Sequence, residues 1–153
     1  MMRLKLSELW KQDGYFLSFE VFPPKTDTAF DSVKTAVAKI AALEPSFVSV
    51  TYGAGGGTSQ YTLDIAKSIQ QLHNVPTLAH LTCVSSTKET VHERIEAMRA
   101  AGIENVMALR GDLTPELEQS DRSQWAYRYA VDLIHELKEY QDELVDSREA
   151  EIV

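Results

Sequence analysis

The most constraining feature of this 153-residue sequence is a regular alternation between two periods, the two-residue period of strands and the 3.6-residue period of helices. Each strand-like segment is followed by a helix-like stripe of apolar residues. The strands are predicted at "YFLSFEVF" (15–22), "FVSVTY" (47–52), "TLAHLTCV" (77–84) and "NVMALR" (105–110). Four consecutive βα units predict an α/β fold with a parallel sheet, which helices cover on one face if it curves into a barrel and on both if it stays open.

The helices that follow the strands are marked by apolar residues three or four positions apart. Their stripes run from Ala29 to Leu43, from Leu63 to Leu72, from Val91 to Met98, and through Trp125, Tyr129, Leu133, Ile134 and Leu137. Ser86 with Glu89 predicts a capping box at the start of the third helix, and Gly102 suits its end. A closed (β/α)8 barrel takes about 250 residues. The chain is therefore predicted to form about four βα repeats of TIM-barrel type, or half a barrel.

Composition and charge narrow the class of protein. The formal net charge is −8 without a basic patch, which argues against binding nucleic acid. Residues 1–12 lack the apolar run of a secretory signal, and no segment approaches the roughly 20 apolar residues of a membrane span. The single cysteine, Cys83, lies in an apolar run, where a packed thiol is the usual case. These observations predict a cytoplasmic protein without a membrane partner.

The chain carries no linker or low-complexity stretch, so residues 1–140 are predicted to form the half-barrel region. Residues 141–153 are predicted to form an acidic tail. This tail holds five carboxylates against the single Arg148.

A candidate site is indicated by the polar residues near the strand ends. Residues two apart on a strand face the same side. Polar groups share one parity in all four strands: Ser18, Glu20 and Phe22; Phe47, Ser49 and Thr51; Leu78, His80 and Thr82; Ala108, Arg110 and Asp112. Because parallel α/β folds bind ligands at the carboxyl ends of their strands, Glu20, Thr51, His80 and Asp112 are expected to converge around one mouth. The alternative is a satisfied polar layer or solvated strand ends.

Two of these residues have titratable groups suited to proton transfer. Glu20 stands between Phe19 and Val21, with Phe22 close by, so we expect it to be poorly solvated, as suits a general acid. The alternative is a glutamate paired with Arg110 or with a backbone donor. His80 fits a ligand contact, a proton carrier or a hydrogen-bonded core histidine. The other histidines and Cys83 show no metal-ligand spacing, so no metal is predicted.

Two loops carry motifs with more than one interpretation. The glycines of "YGAGGGTSQ" (52–60), before a helix capped by Thr58 or Ser59, allow backbone N–H groups to approach an anion or a flat ligand, but a mobile loop is equally consistent. Thr58 stands where a dinucleotide fingerprint needs its third glycine. The triplet Arg110-Gly111-Asp112 is either an exposed adhesive turn, which needs a secreted protein, or the polar end of a strand. The predicted location favours the strand end.

Five ordered stretches resemble the methylenetetrahydrofolate reductases, flavin enzymes built on a (β/α)8 barrel. They are "SFEVFPPKT" (18–26), "FVSVTYGAGG" (47–56), "AHLTC" (79–83), "GIENVMALRGD" (102–112) and "YAVDLI" (129–134). The resemblance covers roughly residues 15–137 and corresponds to the amino-terminal half of a usual family member. It implies that residues 1–140 are a flavin-binding region.

The resemblance also implies roles for individual residues. Glu20 is similar to the glutamate that protonates the folate and helps to open its methylene bridge, and Asp112 to the aspartate near the flavin ring. The positions that match residues holding FAD are Thr51, His80, Leu109, Arg110, Gly111, Asp112, Tyr129 and Ala130. Arg110 would suit a phosphate of FAD, and Gly111 would allow close backbone approach. NADH or NADPH is implied as electron donor and a folate as substrate, within one-carbon metabolism, tetrahydrofolate interconversion and methionine biosynthesis.

The sequence departs from the family pattern at two places. Gly57 replaces the usual serine, and "QDELVDSREAEIV" stands where the family continues into a fifth strand. Two predictions stay open. The first is a truncated reductase completed by self-association or by a complementary half-barrel. The second is a non-catalytic binding or interaction module, or an incomplete gene product. An aldolase-like fragment is disfavoured because no strand carries an obvious Schiff-base lysine.

Overall fold

A computed structural model of the chain describes residues 5–53 and 59–151, with residue 59 and residues 142–151 described by their backbone only. The strands are β1 (Ser18–Val21), β2 (Phe47–Val50), β3 (Thr77–Thr82) and β4 (Val106–Leu109). The helices are α1 (Leu6–Leu9), α2 (Phe30–Ala41), α3 (Ser59–Leu72), α4 (Lys88–Ala100), α5 (Pro115–Glu118) and α6 (Ala130–Glu151). Short 3-10 turns lie at Asp27–Ala29 and Arg122–Gln124.

The strands form one four-stranded sheet in the order β1-β2-β3-β4 within the described part of the chain. The pairs β1–β2 and β2–β3 are parallel. Between β3 and β4, the N–H of Ala79 donates to the carbonyl of Asn105 at 3.0 Å, and the N–H of Cys83 donates to that of Leu109 at 3.2 Å. Because both partners advance by four residues, this pair is parallel as well. The predicted parallel α/β fold with four βα repeats is confirmed.

The register of the first three strands decides which side chains share a face. Glu20 pairs with Ser49, and Ser49 pairs with Leu78. Directly paired residues point to the same side of a sheet, so the predicted common face of these strands is confirmed. On the opposite face Val21 pairs with Val50, and both are buried.

The described residues divide by their contacts into two compact units. The first unit comprises Met1–Leu81 and Glu96–Met107, and the second comprises Thr82–Ile95 and Ala108–Val153. The predicted boundary at residue 140 falls inside α6, whose backbone runs from Ala130 to Glu151. The division into residues 1–140 and 141–153 stays a prediction.

The core of the first unit lies on the face of the sheet that α2 and α3 cover. Its buried apolar residues come from strands and helices alike: Val21, Val37, Val48, Val50, Ile65, Ala66, Ile69, Ala79 and Leu81. Burying one such side chain contributes about 1.5–3 kcal/mol. The hydroxyl of Thr62 in α3 donates to the carbonyl of Thr51 at 2.9 Å, which fixes the end of β2 against this helix.

Helix α1 closes the amino-terminal edge of the sheet, by which we mean the side where the parallel strands begin; the side where they end is the carboxyl-terminal edge. Leu6 and Leu9 of this helix pack with Leu78 into a buried cluster, and Phe47 packs against it. Phe47 and Leu78 have the same parity as Glu20 and His80, so α1 covers the amino-terminal end of the face that carries these two polar residues.

A chain of side-chain amides and hydroxyls holds the same edge; we call it the amino-terminal network. The Leu6 N–H donates to Asn105 Oδ1 at 2.9 Å, and Asn105 Nδ2 donates to the Thr77 carbonyl at 3.1 Å. Thr77 Oγ1 donates to Gln70 Oε1 at 3.1 Å, and Gln70 Nε2 donates to the Gly102 carbonyl at 2.6 Å. The network joins α1, α3, β3 and the loop after α4 within the first unit.

The two ends of α4 are set by different local signals. The helix begins after Thr87, whose Oγ1 accepts from the N–H of Thr90 at 3.2 Å. The prediction of Ser86 as the cap is therefore wrong by one residue, because Ser86 is buried and its hydroxyl accepts from Arg94 NH1 at 3.0 Å. The predicted end is confirmed, since Gly102 has φ 74°, in the left-handed region that glycine favours.

The last predicted stripe is only partly correct. The helix α6 begins at Ala130, so Trp125 and Tyr129 precede it. Leu133 is fully buried, whereas Ile134 is 51% exposed. The apolar residues at helical spacing extend back to residue 125, although residues 125–129 are not helical. No helix in the described part of the chain has the length and hydrophobicity needed to cross a membrane.

Candidate functional site

The first unit places three of the predicted site residues near the carboxyl ends of adjacent strands. Glu20 lies in β1, Thr51 directly follows β2, and His80 lies in β3. The N–H of Thr51 donates to the Val21 carbonyl at 3.0 Å, which continues the parallel ladder beyond the last residue of β2.

The side chains of Glu20 and His80 face each other. Nε2 of His80 is 3.6 Å from Oε1 of Glu20, just beyond hydrogen-bond distance. The two side chains differ in solvation, since that of His80 is 9% exposed and that of Glu20 is 49% exposed. The expected shielding of Glu20 by aromatic neighbours is wrong: Phe22 is 69% exposed. Phe19 and Val21 cannot shield it either, because residues next to Glu20 on a strand point to the opposite face.

Burial and charge act on His80 in opposite directions. Burial disfavours the imidazolium and lowers the pKa of His80, while the Glu20 carboxylate raises it to a smaller extent. The imidazole is consequently neutral near pH 7. Nε2 is buried and has no hydrogen-bond partner within residues 5–53 and 59–151. The reading of His80 as a hydrogen-bonded core histidine does not hold for this nitrogen.

In the second unit, the segment after β4 is fixed through its backbone. The N–H of Val84 donates to the Arg110 carbonyl at 2.7 Å, and the N–H of Cys83 donates to both the Leu109 and Arg110 carbonyls at 3.2 Å. The side chains of Arg110 and Asp112 are exposed. Arg110 Nε donates to the Gly111 carbonyl at 3.2 Å, so the outer part of the guanidinium faces solvent.

The structure shows a reason for glycine at position 111 that the sequence did not reveal. Its φ of 94° lies in the left-handed region. A Cβ atom there would come within 2.7 Å of Val84 Cγ1 and 3.2 Å of Thr82 Cβ. Packing against the end of β3 alone therefore demands glycine at this position. Its role toward a cofactor stays a prediction.

Tyr129 and Ala130 lie where α6 begins. Oδ2 of Asp132 accepts from the N–H groups of Arg128 and Tyr129, both at 2.9 Å, and these bonds lower the pKa of Asp132. They hold the turn in which the Tyr129 side chain is 63% exposed. Sequence reasoning missed this function of Asp132, although an acidic residue in the first turn of a helix is a usual capping signal.

Cys83 is packed as predicted. It is fully buried, burial raises the pKa of its thiol, and its Sγ lies 3.8 Å from the Tyr129 carbonyl as a weak donor. A buried thiol with a raised pKa is an inert packing group.

Two further expectations reach the limits of the described residues. Most of the glycine loop, residues 54–58, and the cap candidate Thr58 lie outside them, and Ser59 is described by its backbone only. No group of three or more His, Cys, Asp or Glu side chains that could hold a metal occurs in the part of the chain that is described. The absence of a metal stays a prediction.

The two units offer different chemistry. The first unit provides a half-exposed carboxyl beside a neutral, buried imidazole, which suits proton transfer. The second unit provides an exposed guanidinium, a carboxylate and an exposed aromatic ring, which suit an anionic or flat ligand. The predicted convergence of Asp112 with Glu20, Thr51 and His80 stays a prediction.

Comparison with known proteins gives one consistent result. A family model described as methylenetetrahydrofolate reductase matches residues 5–150. A relative from Arabidopsis thaliana, methylenetetrahydrofolate reductase (NADH) 1, is 33% identical over 134 residues, which cover 88% of this chain and 23% of that protein. The 5,10-methylenetetrahydrofolate reductases of Pectobacterium carotovorum and Buchnera aphidicola are 36% and 38% identical, each over 82% of this chain and over 40% and 41% of their own lengths. The chain thus spans less than half the length of these relatives.

Proposed function

The chain belongs to the methylenetetrahydrofolate reductase family, and we propose that it forms part of an FAD-dependent oxidoreductase. In the proposed reaction NADH or NADPH supplies electrons through the flavin to methylenetetrahydrofolate, giving methyltetrahydrofolate. The observation that carries the proposal is the Glu20 carboxyl 3.6 Å from the buried imidazole of His80, at the edge of a parallel sheet where such folds bind ligands. The name of the plant relative includes NADH, which favours NADH as the first donor to test.

The residues of the second unit fit FAD. An exposed guanidinium such as that of Arg110 pairs with phosphate oxygens through its planar fork, and an exposed ring such as that of Tyr129 offers a face to a flat ligand. We propose that Leu109, Arg110, Gly111, Asp112, Tyr129 and Ala130 of the second unit hold FAD. Contacts of FAD with Thr51 and His80 stay a prediction from the resemblance. Bound FAD would supply the hydride chemistry that protein side chains lack.

Glu20 would act as the general acid toward the folate. Its half-exposed side chain is accessible to a substrate, unlike that of His80. In the proposed step the Glu20 carboxyl gives its proton to a folate nitrogen and becomes a carboxylate, which helps to open the methylene bridge. Asp112 would place a negative charge near the positive charge that develops on the folate.

Association with another half-barrel is part of the same proposal. The strands β1 and β4 lie at the two ends of the sheet within the described residues, and each has only one neighbouring strand there. Unpaired strand edges favour pairing with further strands. We propose a second copy of the chain or a complementary half-barrel as the partner.

A second candidate function is a non-catalytic half-barrel module that binds a ligand or a partner. The observation that favours it is the exposure of Arg110, Asp112 and Tyr129 in the second unit, which can bind an anionic or flat ligand without a catalytic step. A preparation that binds FAD without reducing the folate would support this candidate against the reductase.

The test of the proposed function measures two reactions of the purified, flavin-loaded protein. One is the NADH- or NADPH-dependent reduction of methylenetetrahydrofolate, and the other is NADH oxidation by an artificial electron acceptor. Glu20→Gln should lower folate reduction by roughly 10²–10⁴-fold, the usual contribution of a general acid, and leave acceptor reduction intact. Glu8→Gln, on the exposed side of α1, is the matched control. If Glu20→Gln impairs both reactions equally or neither, the role assigned to Glu20 is wrong.

A further inference from the structure

His80 contains a buried polar atom that the fold leaves without a partner. Its side chain is about nine-tenths buried, and Nε2 has no hydrogen-bond partner in the described part of the chain. A buried polar atom without a partner costs about 1–3 kcal/mol. Native proteins rarely keep such an atom, so its presence needs an explanation.

Nε2 points to the carboxyl of Glu20. The distance of 3.6 Å between Nε2 and Oε1 is slightly longer than a hydrogen bond, so a small rotation of the carboxyl would close it. Glu20 is half exposed and can make that rotation, whereas the buried imidazole is fixed. The pair is brought together by the parallel register, which aligns Glu20 with Ser49 and Ser49 with Leu78, two residues before His80 on the same face.

The charge of the Glu20 carboxylate affects the pKa of the His80 imidazole. Among the described residues, Glu20 is the charged group that shifts the pKa of the imidazole. The residues aligned with Glu20 along this face, Ser49 on β2 and Leu78 on β3, carry no charge. A neutral imidazole can donate from Nε2 or accept there, depending on its tautomer. Its Nε2–H tautomer can therefore donate a hydrogen bond to one oxygen of Glu20 whether the carboxyl is protonated or ionised.

We propose that Glu20 and His80 act as a pair, in which Glu20 carries the proton to be transferred and His80 is a positioning residue. Nε2 orients the Glu20 carboxyl toward the substrate and holds the carboxylate after the proton has left. This inference rests on the proposed function, which supplies the folate nitrogen that accepts the proton. In the step, the O–H bond of Glu20 breaks, an N–H bond forms on the substrate, and the electron pair stays on the carboxylate. The Nε2–H of His80 donates to one oxygen of Glu20 both before and after this step, so His80 neither gains nor loses a proton.

The direct test needs neither flavin nor folate. In the histidine-labelled 153-residue chain, the imidazole resonances are followed by NMR as the pH is changed, and the His80 resonance is assigned by its loss in His80→Gln. Glu20→Gln should lower the pKa of His80, because it removes the negative charge that favours the imidazolium. Glu20→Ala should lower it in the same direction, and Glu8→Gln should leave it unchanged. A pKa of His80 that is the same in the parent and both Glu20 variants would overturn the pairing.

A second arm uses the flavin-loaded protein and separates positioning from packing. His80→Gln keeps a nitrogen donor near the position of Nε2, whereas His80→Leu keeps only the volume. As the pH is raised, folate reduction should decline at about the same pH in His80→Gln as in the parent protein. In His80→Leu the decline should come at a higher pH, because the Glu20 carboxylate has lost a hydrogen-bond donor. Equal profiles for both variants would contradict the positioning role. If folate is not reduced at all but Glu20→Gln still lowers the pKa of His80, the pairing holds and the reductase function fails.

Discussion

The two edges of the sheet in the first unit are built in opposite ways. At the amino-terminal edge, the network through Asn105 supplies partners for the Thr77 carbonyl and the Leu6 N–H. At the carboxyl-terminal edge, the same strand β3 places His80 three residues after Thr77, with a buried Nε2 that has no partner among the described residues. One short strand thus contains both a satisfied and an unsatisfied polar group.

This contrast separates stability from chemistry. The amino-terminal edge combines buried leucines with paired polar groups, which lower the free energy of the folded state. The carboxyl-terminal edge retains a half-exposed carboxyl and a buried imidazole nitrogen that has no hydrogen-bond partner among the described residues. Groups of this second kind are expected where a ligand or substrate completes the interactions.

The largest effect is expected for Leu6→Ala at the amino-terminal edge. Leu6 is nearly fully buried against Leu9 and Leu78, so truncation removes apolar contacts and leaves a cavity. The free energy of unfolding, measured by urea denaturation, should fall by about 2–5 kcal/mol. A loss below about 1 kcal/mol would show that α1 does not close this edge.

A smaller loss is expected for Asn105→Ala, which cuts the amino-terminal network. The Leu6 N–H and the Thr77 carbonyl would each lose a partner. The free energy of unfolding should fall by roughly 1–3 kcal/mol. The pKa of His80, measured by NMR, should not change, because the carboxyl-terminal edge is left intact. A change in both quantities would mean that the two edges are not independent.

His80→Leu at the carboxyl-terminal edge should change the free energy of unfolding by still less. The buried imidazole, whose Nε2 has no partner among the described residues, is replaced by an apolar group of similar volume. The free energy of unfolding at pH 7.5 should stay within about 1 kcal/mol of the parent value or rise. A loss as large as that of Asn105→Ala would show that His80 stabilises the fold.

The smallest effect is a pH dependence that His80 contributes. Because burial lowers its pKa below the ordinary 6.5, the unfolded chain binds more protons than the folded chain as the pH falls. The free energy of unfolding should therefore decrease below about pH 6.5 and level off below the lowered pKa of the folded state. Comparing parent and His80→Leu between pH 7.5 and 5 isolates this contribution, and identical slopes would contradict it.

The sequence was sufficient for the four strands, their parallel arrangement and the helices α2, α3 and α4, because these follow from local period and from the length of the repeats. The short helices α1 and α5 and the start of α6 were not predicted. The parity of Glu20 and His80 was also predictable. The cap of α4 was not, because Ser86 and Thr87 are both capping residues, and the burial of Ser86 against Arg94 decides between them.

The properties of the site depended on tertiary structure. The polar pattern of the strands selected Glu20 and His80, and the resemblance implied their roles, but their 3.6 Å separation follows from strand register. The shielding of Glu20 was inferred from neighbours in the sequence that point away from it. The packing that requires glycine at position 111 could not be predicted, because Val84 and Thr82 approach Gly111 only in the folded chain.

The most direct test of the central claim, that the carboxyl-terminal edges serve a flavin-dependent reductase, is the visible absorption spectrum of the purified chain after incubation with FAD and removal of free cofactor. We expect a yellow protein with about one flavin per chain, and less flavin in Arg110→Ala than in the exposed control Arg122→Ala. A colourless protein that takes up no FAD would contradict the account.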